Sequence, residues 1–156
     1  VEVAPDKATV QAMLGICLLE LGRPSDAIDP LSRVLEIAPT DSEVVGTAYL
    51  ARGRAHVAVD DRYRAWSDYT SAINIRPENV AAWLERANLF AGKQDWDRAI
   101  ADCDHIIAEH PNIAEAWELR ARASFEKGDL EAAEADTIQA ARLPRRGART
   151  FAARWG

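Results

Sequence analysis

Trp83 and Trp117 stand 34 residues apart, and so do Ala87 and Ala121, Ala99 and Ala133, Asp102 and Asp136, and Pro77 and Pro111. A period of that length constrains the fold more than any composition figure. A chain that restates one short unit must stack its copies, because each unit buries its apolar face only against its neighbours. Carried towards the N-terminus, the register places Tyr49, Gly53, Ala65, Tyr69, Ala72 and Pro77 in a second unit, and Leu14, Gly15, Ala27 and Pro39 in a first. Four units result, near 8–41, 46–79, 80–113 and 114–143, with a lead-in over 1–7 and a basic end over 144–156.

Each unit carries apolar residues at three- and four-residue spacing on two segments of about twelve residues. Short polar turns divide the segments, as at Gly22-Arg23-Pro24-Ser25 and Lys127-Gly128-Asp129. That pattern predicts two antiparallel helices per unit. Small residues recur where the helices of a hairpin come closest: Gly15, Gly53, Ala87 and Ala121 on the first, Ala27, Ala65, Ala99 and Ala133 on the second. Pro39, Pro77 and Pro111 close the second helices, since proline disfavours helix in the residue before it. Thr40 with Glu43, and Asn112 with Glu115, have capping-box spacing for the helices that follow.

Two departures from strict periodicity carry expectations. Pro39 and Pro77 lie 38 residues apart, four more than Pro77 and Pro111. Four residues make about one helical turn, so the first helix of the second unit is predicted to start a turn early. Pro30 falls early inside the second helix of the first unit, where a kink is expected.

An aromatic, a small residue four later, an alanine opening the second helix and a closing proline together resemble the tetratricopeptide repeat. The resemblance covers almost the whole chain. It implies an all-α fold, a right-handed α-solenoid of antiparallel helical hairpins, and a non-catalytic scaffold that binds a peptide or protein segment in the groove lined by first helices. In that family ligands touch set positions of the first helix. Matched residue by residue, those positions include Ile16, Leu19, Leu50, Arg54, Val57, Leu84, Asn88, Glu118, Arg122 and Phe125. Arg54, Asn88 and Arg122 share a column and form a polar stripe suited to a peptide backbone or a carboxylate. Family members that grip an acidic chaperone C-terminus use a Lys and Asn pair in the first unit and a Lys and Arg pair in the third. Ala12 and Ile16, then Ala81 and Glu85, stand there in this chain, so an apolar or amphipathic segment is the expected ligand.

A second pair of columns reads as scaffold. Arg52, Arg86 and Arg120 lie on first helices, and Asp68, Asp102 and Asp136 follow them by 16 residues. The first unit lacks both, with Leu14 and Pro30 in those places. Joint presence and joint absence favour structural ion pairs over a cation ladder for an anionic ligand, because a partly buried guanidinium and its carboxylate need each other.

The sequence supplies no convergent catalytic set: no glycine-rich phosphate loop, no His-Glu-x-x-His and no nucleophile elbow. In Asp102-Cys103-Asp104-His105 a helix turns Cys103 away from its neighbours, which leaves no tetrahedral metal site. His56, Trp66 and Trp96 read as packing residues, and Cys17 and Cys103 as small core residues. No enzyme activity, cofactor or metal is expected.

Charge narrows the partners. Residues 1–141 carry 14 basic and 25 acidic groups, whereas Arg142, Arg145, Arg146, Arg149 and Arg154 crowd the end. An acidic body argues against nucleic acid, and no apolar run approaches the roughly 20 residues that cross a bilayer. A protein or peptide ligand and a cytoplasmic location are expected, with Val1 suggesting a trimmed start. Phe151 and Trp155 are four apart, so the basic end is read as a capping helix. The alternatives are an arm that makes the chain a self-associating homo-oligomer, or the regulatory or targeting region of a larger enzyme.

Overall fold

The structure, a computed structural model, describes residues 7–38 and 40–144. Eight helices account for nearly all of them: α1 (Lys7–Glu20), α2 (Pro24–Ile37), α3 (Ser42–Ala58), α4 (Arg62–Ile75), α5 (Val80–Gly92), α6 (Trp96–Glu109), α7 (Ala114–Glu126) and α8 (Leu130–Arg142). Two compact units divide between Arg86 and Ala87, inside α5. In the first, α1 packs on α2, α3 on α4, and α3 also on both α1 and α2. In the second, α7 packs on α8 and on α6.

The small-residue columns lie at the hairpin contacts. Ala27, Ala65, Ala87 and Ala99 are fully buried, and Ala121 and Ala133 nearly so. A Cβ on Gly53 would stand 2.5 Å from Cε1 of Tyr69, itself buried, and one on Gly15 would run into Leu31. Leu31 and Tyr69 occupy one column, so the same large-on-small contact recurs in two hairpins. Around it, Ala27, Leu31, Val34, Ala48, Ala51 and Ala55 form the core of the first unit. Ala87, Phe90, Ala91, Ala99, Cys103 and Leu119 form that of the second.

The helix starts follow a rule that the capping-box spacing misses. Asp61, Asp95 and Asp129, 34 apart, precede α4, α6 and α8, and their carboxylates accept from the backbone N–H groups of Arg64, Arg98 and Ala132. Before α3 the cap is Asp41, which accepts from Glu43 N and Val44 N, and not Thr40. Asn112 caps nothing either: α7 begins behind Ile113, with no side-chain cap. A carboxylate one residue nearer the helix reaches two donors at once and displaces Thr40.

One residue before each second-helix cap position, the chain turns through the left-handed region at Gly22 (φ 71°), Asp60 (φ 60°), Gln94 (φ 59°) and Gly128 (φ 85°). Glycine takes that conformation without a steric cost; Gln94 does not.

The extra turn is present. α3 has 17 residues against 13 in α5 and in α7, and it starts four residues ahead of the register. α2 runs continuously through Pro30 and opens with Pro24 at its first turn, where a missing N–H costs little. Pro39 and the aromatic pair Phe151 and Trp155 lie outside the described residues. Cys103 is fully buried as expected, but Cys17 is exposed, because no described helix packs on that side of α1.

Candidate functional site

The most regular polar side chains bind the hairpins together. Arg52 donates through Nε and Nη2 to the two carboxylate oxygens of Asp68, at 2.9 and 2.7 Å. Arg120 makes the same fork on Asp136, at 2.8 and 2.8 Å. Both aspartates are buried, and such two-pronged contacts fix a guanidinium in one plane. That plane lies over the aromatic three residues before it: Arg52 above Tyr49, Arg86 above Trp83 and Arg120 above Trp117, at 5.4, 5.1 and 4.9 Å from the ring centres. The tryptophans in turn donate from Nε1 to the carbonyls of Pro77 and Pro111, both at 2.9 Å. The carboxylate hydrogen bond, outweighing burial, holds the guanidinium of Arg120 above the usual arginine range. Arg86 and Asp102 fall in different units; Arg86 donates to Thr70 Oγ1 at 3.2 Å, and Asp102 is buried.

The first-helix columns singled out in the sequence differ in character. In the first unit Ile16 and Leu19 are partly buried and pack against the core of the first two hairpins, which leaves only an edge of each exposed. Leu50 packs beside Ala72, Ile73 and Ala82; Leu84 is partly buried and Val57 exposed. Among them Arg54 donates from Nε to Glu85 Oε1 at 2.7 Å, an exposed pair that joins α3 to α5. Arg54 is therefore engaged within the chain, a contact the column arithmetic does not reveal. In the second unit Asn88, Glu118 and Arg122 are exposed, and Phe125 is 60% exposed. Glu118, Arg122 and Phe125 border a cleft of about 650 Å³ between α7 and α8, with Ala121, Ala133 and Ala140 on its floor.

The tetratricopeptide repeat family model matches residues 1–42, 46–112 and 104–149. The chain is a tetratricopeptide repeat protein. It is similar to the mouse FK506-binding protein-like protein, 31% identical over 97 residues that make up 62% of this chain and 27% of that protein. Similarity to Hsc70-interacting protein 1 of Drosophila melanogaster is 28% over 120 residues, 76% of this chain and 32% of that one. The chain thus spans about a third or less of the length of these relatives. Among solved structures it resembles MamA, with a TM-score of 0.79 at 23% identity, covering 88% of this chain and 78% of that one. A tetratricopeptide repeat protein from Parabacteroides merdae also gives a TM-score of 0.79, at 18% identity over 85% of this chain and 52% of that one. These likenesses show the fold, an all-α solenoid of helical hairpins.

As a tetratricopeptide repeat protein the chain is a protein-interaction scaffold. Its one buried histidine, His56, lines a small polar cleft of about 290 Å³ with Ser32, Arg52, Arg64, Ser67 and Asp68. Burial holds its imidazole below the ordinary histidine range, and Nε2 stands 3.7 Å from Asp68 Oδ2. Among the described residues no three His, Cys, Asp or Glu side chains are grouped to hold a metal. No described helix is long and apolar enough to cross a membrane.

Proposed function

We propose that this tetratricopeptide repeat region is a non-catalytic scaffold that holds an apolar or amphipathic segment of a partner protein against its first-helix faces. The observation that carries the reading is the exposed Arg54–Glu85 pair, which joins the two helices that also carry Leu50, Val57 and Leu84. Apolar ligand side chains rest on the three aliphatic groups. The half-exposed ion pair exchanges one member's contact for a backbone amide or carbonyl of the ligand, at small cost because exposed pairs are worth little. An acidic tail is disfavoured, since Ala12, Ile16 and Ala81 offer it no cation and Glu85 repels it. Cytoplasmic residence belongs to the same reading. So do the separate roles of Asn88, Arg122 and Phe125 as ligand contacts in the second unit.

Selection from a displayed random-peptide library tests it. Peptides enriched on the wild type should carry spaced apolar residues and bind at least about tenfold more weakly to Arg54→Glu combined with Val57→Asp, both at exposed positions. Equal binding by the variant, or enrichment of acidic C-termini, overturns the reading. Helicity and melting temperature of the variant should match the wild type.

A further inference from the structure

Junctions between consecutive hairpins share a polar contact. Arg52 Nη1 donates to Ser32 Oγ at 3.0 Å, Arg86 Nη1 to Thr70 Oγ1 at 3.2 Å, and Arg120 Nη1 to Asp104 Oδ1 at 2.5 Å. Each time, an arginine of a first helix reaches back to one column of the preceding second helix. On α1 the arginine column holds Leu14, and on α8 the acceptor column holds Ile138, 46% and 45% exposed. Both members of the polar pair are replaced together, and by apolar residues.

Side-chain volume shows the same reciprocity. Inside the first unit, α2 presents Val34 and Leu35 to the small Ala48, Ala51 and Ala55 of α3. The columns of Val34 and Leu35 become Ala140 and Ala141 on α8, while those of Ala48 and Ala51 become Val10 and Met13 on α1. Between α2 and α3 large faces small, and the two outer faces carry the reverse: Val10 stands in a column that is otherwise alanine, and Ala141 in one that is otherwise Leu or Ile. Val10 and Met13 are 45% and 58% exposed, where Ala48, Ala82 and Ala116 in the column of Val10 are wholly buried. With Leu14, Cys17 and Leu21 they form one stripe at three- and four-residue spacing. The alanine-floored cleft between α7 and α8 occupies the columns on which, three repeats earlier, α3 seats against α1 and α2.

We propose that α1 of one copy seats in the α7–α8 cleft of another, so that copies of this chain associate head to tail, with Leu14 against Ile138. The occupant is a second copy because the compensating changes lie on both outer faces of one chain; an unrelated partner would require neither face to match the other. Summed volume across the contact is kept, as a packed interface requires. The contact is heterologous, so it adds copies without a two-fold axis.

Sedimentation velocity of the chain over a wide micromolar range tests the proposal, and a mass that rises with concentration is expected. Leu14→Arg and Ile138→Asp should each weaken association at least about tenfold by leaving a charge in an apolar contact. Mixing the two variants should restore it. Each keeps one intact face, and the altered faces meet as arginine and carboxylate, as Arg120 meets Asp104. Alkylation of Cys17 should slow as concentration rises in the wild type and not in Leu14→Arg. Both substituted positions are exposed, so unchanged melting controls for folding. A monomer at every concentration, as when residues 145–156 or some other protein cover these faces, overturns the proposal. So does association that neither substitution weakens, or that mixing fails to restore.

Discussion

Removal of the Arg120 guanidinium should cost far more than its exposed contacts suggest. The guanidinium gives two hydrogen bonds of 2.8 Å to Asp136, whose side chain is 7% exposed, and one to Asp104, which is 54% exposed. The Asp104 contact is worth no more than ~1 kcal/mol in that setting. Arg120→Met keeps the aliphatic stem over Trp117 but leaves the Asp136 carboxylate buried without its partner, a loss of about 3–5 kcal/mol. Asp136→Leu alone strands the guanidinium and should cost about 2–3 kcal/mol, less because Arg120 is 23% exposed and keeps Asp104. In the double variant no charge is stranded, and apolar side chains of similar size fill the space. Its loss should be about 1–2 kcal/mol, well below the sum of the singles, with a coupling energy of at least ~2 kcal/mol. Urea unfolding followed by circular dichroism on the four proteins gives the number. Additive losses would show that Arg120 and Asp136 contribute independently, and the scaffold role assigned to this column would fail.

Gly53→Ala should lower stability by about 1–3 kcal/mol in thermal melts, because its methyl would meet the buried Tyr69 ring at 2.5 Å; an unchanged melt would mean that the hairpin opens freely. Gln94→Gly should raise stability by up to about 1 kcal/mol by relieving a left-handed side-chain residue, whereas the same change at a right-handed helical position would lower it. At low concentration and pH 8, a thiol reagent should label Cys17 quickly and Cys103 only on unfolding, since burial pushes the Cys103 thiol up to about 12; two equal rates would contradict its placement in the core. Burial lowers the His56 pKa below 6.5 against the opposing pull of Asp68, with Arg52, Asp61 and Arg64 also facing it. Folding therefore favours the neutral ring: its contribution is complete above pH 6.5 and is lost as pH falls below that value. The melting temperature of the wild type should fall more between pH 7.5 and 5.5 than that of His56→Phe, and parallel falls would refute the assignment.

Periodicity made much of the scaffold legible. A column such as Gly15, Gly53, Ala87 and Ala121 stays small because the same backbone approach recurs in every hairpin, so one sequence displays the constraint four times. The columns of Arg52 and Asp68 were readable for the same reason. The cap aspartates and the left-handed turn were equally periodic, yet Gln94 hid the latter: a rule about glycine does not flag a glutamine at φ 59° in a turn closed by Gln94 N on Ala91 O and Asp95 N on Phe90 O. Arg54 shows the limit more sharply. Its column predicts a helix face but not that Glu85, 31 residues on, comes within 2.7 Å.

What the sequence by itself determined is the unit: two helices, their close-packed small residues and their turns, all set by local propensity and by a contact that each repeat restates. Which surfaces remain open was decided only in the tertiary structure. Val10, Met13, Leu14 and Cys17 are as apolar as a core stripe, and from the sequence Cys17 reads as a core residue. They are exposed because burial depends on a neighbour packing from the outside, and a helix carries no record in its own sequence of whether that neighbour is present.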